Sequence, residues 1–281
     1  MKLARSLSTA VLAALAVTSA AHAGAAAAGS QGAPPAPAAV AGAASPPAAA
    51  PGSGVPKLEL QRAVDGGPDS ILVVRARLVQ LLMNDPKSKE LHYWVGYADY
   101  RLVPRVMKDK TAAGRYLEEG LQHLEQAIKL DAGFADAIAL EAGFRGLSIM
   151  LEPARGPALS GEIEEALGRA SALAPKNPRV ALIDAINTFN KPRFVGGGVD
   201  KSLVKLKKAQ ELFAAEGTSR APAIDWGHDD AYAWAGRAAE KLKQYDEARR
   251  YFRKALEINP GNAWVKGVLM PELDQAAKGK S

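Results

Sequence analysis

The sequence has 281 residues, no cysteine and a formal charge of +6, with 36 basic side chains against 30 acidic ones. Without cysteine, the chain cannot form disulfides, thiolate metal sites, cysteine nucleophiles or the lipid linkage of a bacterial lipoprotein. Four lysines between positions 201 and 208 come closest to a basic stripe, and they fit the solvated face of one predicted helix. We therefore expect no nucleic-acid partner.

The N-terminus has the pattern of a secretory signal peptide. Lys2 and Arg5 precede a mostly apolar run from Leu7 to Val17, and small residues around Ala23 suit cleavage after that position. The apolar run is shorter than the roughly 20 residues that a membrane-spanning helix needs. We therefore expect a periplasmic or secreted protein with no integral membrane segment after cleavage.

Residues 24–56 consist almost entirely of Ala, Pro, Gly and Ser and carry no charge. Such a segment buries too little apolar surface to offset the entropy lost when it is ordered. It is predicted to be a disordered tether. The predicted organisation is thus a signal peptide over 1–23, a tether over 24–56 and one folded domain over 57–281.

A helical repeat is clearest near the C-terminus, in the stretch AYAWAGRAAEKLKQYDEARRYFRKALEINPGN. Gly236 lies on a first helix and Ala248 and Ala255 on a second, where small side chains allow close approach of the two helices. Phe252 fills the space beside them, and Pro260 ends the second helix because the residue before a proline is pushed out of helical space. This pattern resembles a tetratricopeptide repeat, a pair of antiparallel helices of about 34 residues.

The same spacing recurs upstream, with small residues at Gly96, Gly120, Ala127, Ala170 and Ala209. The resemblance implies an all-α fold, a tetratricopeptide-like helical-hairpin solenoid of about four units with a leading helix and a C-terminal capping helix. The predicted helices cover residues 70–84, 88–103, 112–130, 135–150, 161–173, 178–190, 200–214, 229–242, 246–258 and 263–276.

Extra residues separate the two helices of three predicted units, near 103–113, 150–161 and 190–199, and residues 218–228 separate the third unit from the fourth. Insertions in a stacked array emerge along one edge, where they are available for binding. The stretches LHYWVGYADYRL, RFVGGGVDKSL, DWGHDDAYAW and EINPGNAWVKGVLMPEL occur in this order. Together they resemble a group of uncharacterised exported bacterial tetratricopeptide proteins.

Two glycine-containing stretches raise alternatives. RFVGGGVDKS is similar to the end of a phosphate-binding loop, but Asp200 stands where such a loop has a glycine and would repel an anion. We favour a sharp connection between two helices in which the glycines adopt positive φ. In IDWGHDD, Trp226 is either a hydrophobic anchor at the start of a helix, with Asp229 as the cap, or a ligand contact.

First-helix side chains that face away from the second helix line the inner groove of such an array. Tyr93, Tyr97 and Tyr100 share one helix face and would form a peptide-binding wall, because tyrosine combines apolar area with a hydroxyl. The alternative is that another helix covers this face and makes the tyrosines core residues. The candidate groove residues are Glu90, Tyr93, Tyr97, Tyr100, Arg101, Arg179, Leu182, Ile186, Phe189, Asp230, Ala233, Arg237 and Lys241.

No catalytic, cofactor-binding or metal-ligating residues are predicted. His92, His123 and His228 lack metal-type spacing, and neither Gly-x-Ser-x-Gly nor His-Glu-x-x-His occurs. The sequence predicts a non-catalytic exported scaffold that binds a protein or peptide in its concave groove and at its inserted loops. Two alternatives stay open: a small-ligand carrier or accessory subunit of a periplasmic transport system, and an enzyme whose groups converge from distant repeats.

Overall fold

A computed structural model describes residues 57–216 and 224–278, which belong to one compact unit and include no β-strand. No helix of this part of the chain is both long and apolar enough to cross a membrane. The predicted signal peptide and tether lie outside the described residues. The α-helices are α1 Lys57–Gly66, α2 Pro68–Asn84, α3 Lys89–Val106, α4 Lys110–Leu130, α5 Ala135–Leu151, α6 Gly156–Leu173, α7 Pro178–Asn190, α8 Val199–Glu216, α9 His228–Lys241, α10 Tyr245–Ile258 and α11 Met270–Lys278.

The helices pack as successive hairpins, α3 with α4, α5 with α6, α7 with α8 and α9 with α10. Close approach depends on the small residues of the repeat. A methyl group on Gly236 would overlap the Phe252 ring, and one on Gly96 would lie 2.8 Å from Leu124 Cγ. Ala248 on α10 is fully buried beside Phe252. The predicted all-α hairpin solenoid is therefore confirmed, with a π-helix over Val265–Leu269 leading into α11.

Two of the predicted insertions are helix rather than loop. Helix α3 continues to Val106 and α4 begins at Lys110, while α5 and α6 are separated only by a 3₁₀ turn over Pro153–Arg155 and its flanking residue. Asp109 starts α4 early, because its carboxylate accepts hydrogen bonds from the backbone N–H groups of Thr111 and Ala112 at 3.1 and 3.0 Å. The positions of small residues in the sequence indicate where two helices cross, but they do not indicate where each helix ends.

The connection between α7 and α8 is a compact turn. Gly196 and Gly198 have φ of 93° and 133°, as the sequence predicts. The Gly198 N–H donates to the Thr188 carbonyl at 2.9 Å, and Arg193 Nη2 donates to Asp200 Oδ1 at 3.0 Å. No strand lies beneath this turn in the described part of the chain, so it lacks the sheet that supports a phosphate-binding loop.

Candidate functional site

The tyrosine face of α3 is covered by Trp226. The Trp226 Nε1–H donates to the Tyr93 hydroxyl at 2.6 Å, and the rings of Trp226 and Tyr97 have centroids 4.7 Å apart. Tyr93, Tyr97 and Trp226 are 0%, 2% and 3% exposed, and burial raises the pKa of both tyrosine hydroxyls. Of the two alternatives for this face, the structure agrees with the covered one, because Tyr93 and Tyr97 are core residues.

Tyr100, the third tyrosine of this face, is half-buried against α5. Its ring lies 5.5 Å from that of Phe144 in an edge-to-face arrangement. Gly143 makes this approach possible, since a Cβ there would lie 3.1 Å from the Tyr100 ring. Tyr100 therefore contributes to packing between the first two units.

Inner-face residues of the first and fourth units contact each other directly. Arg101 Nη1 donates to Asp230 Oδ2 at 2.7 Å, although the two residues are 129 positions apart. Arg105 supports this pair by donating to the Arg101 carbonyl at 2.7 Å. Burial, together with the charge of Arg101, lowers the pKa of Arg105 to about 10. The predicted groove is thus closed at this point by its own side chains.

The other arginines of the predicted groove hold neighbouring helices together. Arg179 is 4% exposed, and it donates to Asp136 Oδ1 at 2.9 Å and to Glu216 Oε2 at 3.0 Å. Arg237 forms ion pairs with carboxylates of its own helix and of α11. Of the remaining candidates, Leu182 and Ala233 are buried, Glu90, Ile186 and Phe189 are half-buried, and Lys241 is exposed.

Helix α1 is not among the helices predicted from the sequence. It contacts the C-terminal half of the array. Gln61 Nε2 donates to the Asp225 carbonyl at 2.7 Å, and Asn259 Nδ2 donates to Asp65 Oδ2 at 3.2 Å. A signal for this helix is present in the sequence, since Leu60 and Val64 are one turn apart and both are buried. Its position next to Trp226 creates a concave site.

This site, the α1 cavity, has a volume of about 600 Å³ and lies between α1, the end of α8, the start of α9 and the end of α10. Its apolar wall contains Phe213, Trp226 and Ile258, and the Phe213 ring stacks on the His228 imidazole at 5.3 Å. Exposed Arg62 and Ala214 lie where the cavity meets solvent. The other lining residues are Gln61, Asp65, Arg179, Glu216, Asp225, Gly227, Asp229 and Asn259.

The α1 cavity combines aromatic rings with an uneven set of charges. Four carboxylates line it against the guanidinium groups of Arg62 and Arg179. Asp229 does not cap α9 but accepts hydrogen bonds from Asn259 and Asn262 at 2.8 and 2.9 Å, and burial and Asp230 raise its pKa. Burial lowers the pKa of His228, so its imidazole is neutral at neutral pH. The arrangement provides a surface for binding a flat molecule with a polar edge.

Comparisons with known proteins agree with this architecture. The model of the tetratricopeptide repeat family matches residues 229–262, which contain α10 and all of α9 except its first residue. Among solved structures, the HusA haemophore from Porphyromonas gingivalis aligns with a TM-score of 0.58 at 20% identity, covering 69% of this chain and 96% of that one. TTC0263, a thermophilic tetratricopeptide protein of Thermus thermophilus, aligns with a TM-score of 0.54 at 15% identity, covering 79% of this chain and 96% of that one. Comparison with the curated proteins finds no match.

The chain therefore has a tetratricopeptide-type fold, with one unit that matches the family model and an array that has the fold of the two neighbours. At these identities the neighbours show the fold alone. A fold does not determine a function, so the function of this chain depends on the residues that close the groove and form the α1 cavity.

Proposed function

We propose that the protein is a non-catalytic exported binding scaffold that carries a small ligand in the α1 cavity. The observation that supports this most strongly is the cavity itself, because its volume of about 600 Å³ lies within the usual range of small-molecule sites, ~300–1,000 Å³. The covered tyrosine face weighs against a peptide in the first unit. A carrier, the alternative to a peptide scaffold, is the function that this geometry favours.

The lining favours a ligand with a flat apolar ring system. The Phe213–His228 stack and Trp226 provide aromatic surface, and Arg62 and the carboxylates can orient polar groups at the edge. The neighbour named as a haemophore makes haem the first ligand to test. The neutral imidazole of His228 is in the form that binds a metal centre.

Haemin titration followed by absorbance tests this proposal. We expect one equivalent to bind, and Ala214→Trp to weaken binding about tenfold or more because the new ring would fill the cavity where it meets solvent. Lys208→Trp, on the exposed face of the same helix, is the matched control and should bind as the unmodified chain does. Equal affinity of all three proteins would place the ligand elsewhere.

Mass spectrometry of the purified protein for retained small molecules tests ligands other than haem.

A second candidate function is binding of a protein or peptide at the C-terminal units. Phe189, Trp234 and Trp264 form a row of half-buried rings with centroids 5.3 and 5.2 Å apart. Aromatic rows of this kind suit apolar side chains of a partner. Trp234→Ala should abolish capture of a partner, whereas Phe194→Ala, in the exposed turn, should leave it unchanged.

Export is part of the proposal and is tested by N-terminal sequencing of protein recovered from the periplasmic or secreted fraction. We expect the mature chain to begin at Gly24, because the signal-peptide pattern ends at Ala23. Recovery of the chain with Met1 from the cytoplasmic fraction alone would contradict it.

A further inference from the structure

Two histidines that the proposed function does not use face each other between α3 and α4. The δ nitrogens of His92 and His123 are 3.0 Å apart, although the residues are 31 positions apart in the sequence. His92 is 9% exposed and His123 is half-buried, so the pair is open to solvent on the His123 side. The α3–α4 hairpin brings the two imidazoles together, although their separation in the sequence does not indicate a shared site.

The surroundings orient His92 in the way that a metal ligand requires. Its Nε2 lies 3.2 Å from the Pro86 carbonyl oxygen, to which the Nε2–H donates, and this leaves a lone pair on Nδ1. A histidine that binds a metal through one nitrogen usually donates its other N–H to a carbonyl or carboxylate. In the metal-free pair, the His123 Nδ1–H then donates to His92 Nδ1. A metal ion that binds both δ nitrogens replaces this hydrogen bond, and the proton moves to Nε2 of the His123 ring.

The Arg75 guanidinium lies close enough to His123 to act on it electrostatically. Arg75 is itself paired with Asp99 and Glu119, which offsets its repulsion of a metal ion.

The distance between the two nitrogens suits one shared ion. Nitrogens bound to Zn²⁺ at ~2.0–2.1 Å lie about 2.9 Å apart at a right angle and about 3.4 Å apart at the tetrahedral angle. We propose that His92 and His123 bind one divalent late transition-metal ion through their δ nitrogens, with water completing its coordination. No group of three or more His, Cys, Asp or Glu in the described part of the chain could hold a metal, so this is a two-histidine site.

Calorimetric titration of the metal-free full chain with Zn²⁺ alone at neutral pH tests the proposal. We expect one equivalent to bind, and both His92→Asn and His123→Asn to weaken this binding about tenfold or more. Glu125→Gln changes an exposed side chain on the same helix as His123, outside the pair, and should bind as the unmodified chain does. Because His123 is half-buried, its variant is the one expected to fold normally, which circular dichroism checks.

Thermal unfolding gives a second readout, since a ligand that binds only the folded state raises Tm. Zn²⁺ should raise the Tm of the unmodified chain and of Glu125→Gln and should leave that of His123→Asn unchanged. Absence of Zn²⁺ binding, or equal binding and equal Tm shifts in all four proteins, would overturn the proposal.

Discussion

The connections before α8 and before α9 each place an aromatic residue within two positions of a glycine, and the two aromatic residues have opposite environments. Phe194, in the 191–198 turn between α7 and α8, is 88% exposed, whereas Trp226, in the 224–227 segment before α9, is 3% exposed. The turn forms hydrogen bonds mainly within itself and with the adjoining helix ends. The segment bonds to residues more than 130 positions away. The surfaces that face a connection, rather than its composition, decide whether its aromatic residue is buried.

The largest expected difference between the connections comes from removing these rings. Trp226→Ala should reduce the free energy of unfolding by about 3–5 kcal/mol, because it leaves a cavity and removes the donor to the Tyr93 hydroxyl. Phe194→Ala should change it by less than about 0.5 kcal/mol, since the ring is exposed. Urea unfolding measures both. Similar changes in the free energy of unfolding for the two variants would mean that the two connections do not differ in how tightly they are packed.

The glycines provide a closely matched pair. Gly227 and Gly196 have nearly equal positive φ, 98° and 93°, so an alanine has a similar backbone cost at each, about 1–2 kcal/mol. At Gly227 the new methyl would also lie 2.9 Å from Leu182 Cδ2, whereas at Gly196 the nearest neighbour is Lys191 Nζ at 3.9 Å. Gly227→Ala should therefore be destabilising by about 1–3 kcal/mol more than Gly196→Ala in urea unfolding. A smaller effect at Gly227 would show that this segment is loosely packed.

A single hydrogen bond should have a smaller effect. Tyr93→Phe removes the acceptor of the Trp226 Nε1–H and should reduce the free energy of unfolding by about 1–2 kcal/mol. A double-mutant cycle with Trp226→Phe isolates this contact from the rest of the packing. The two substitutions should be non-additive, and strict additivity would mean that the bond contributes nothing to stability.

The smallest expected effect is a pH dependence of stability that comes from His228, two positions after Trp226. Burial lowers its folded-state pKa below the usual value near 6.5, so at intermediate pH the unfolded chain binds the proton more tightly. Its contribution to stability is present above pH ~6.5 and is lost as pH falls through that value toward the folded-state pKa. His228→Asn should therefore lose less stability than the unmodified chain between pH 7.5 and 5 in urea unfolding. A steeper loss in the variant would contradict this sign.

Nearest-neighbour packing could be predicted from the sequence, and contacts between distant units could not. Gly236, Ala248 and Phe252 specify one hairpin locally, which is why the position of the fourth unit and its helices follow from the spacing. The Arg101–Asp230 pair joins units that the repeat pattern treats as independent. No local periodicity in the sequence encodes such a pair. The closure of the groove can therefore be seen only in the three-dimensional structure.

The α1 cavity and the histidine pair escaped prediction for the same reason. Helix α1 has the apolar spacing of Leu60 and Val64, yet it also forms hydrogen bonds with residues more than 160 positions away. His92 and His123 meet because the α3–α4 hairpin brings together positions that are 31 residues apart. Residue spacing within a single helix predicts neither the α1 cavity nor the histidine pair.

The most direct test of the closed groove is nuclear magnetic resonance of the Trp226 indole N–H in the full chain. We expect nuclear Overhauser contacts from this proton to the rings of Tyr93 and Tyr97 and slow exchange of the proton with solvent. An indole proton that exchanges as fast as that of an exposed tryptophan, without contacts to either tyrosine, would show an open groove and contradict the account.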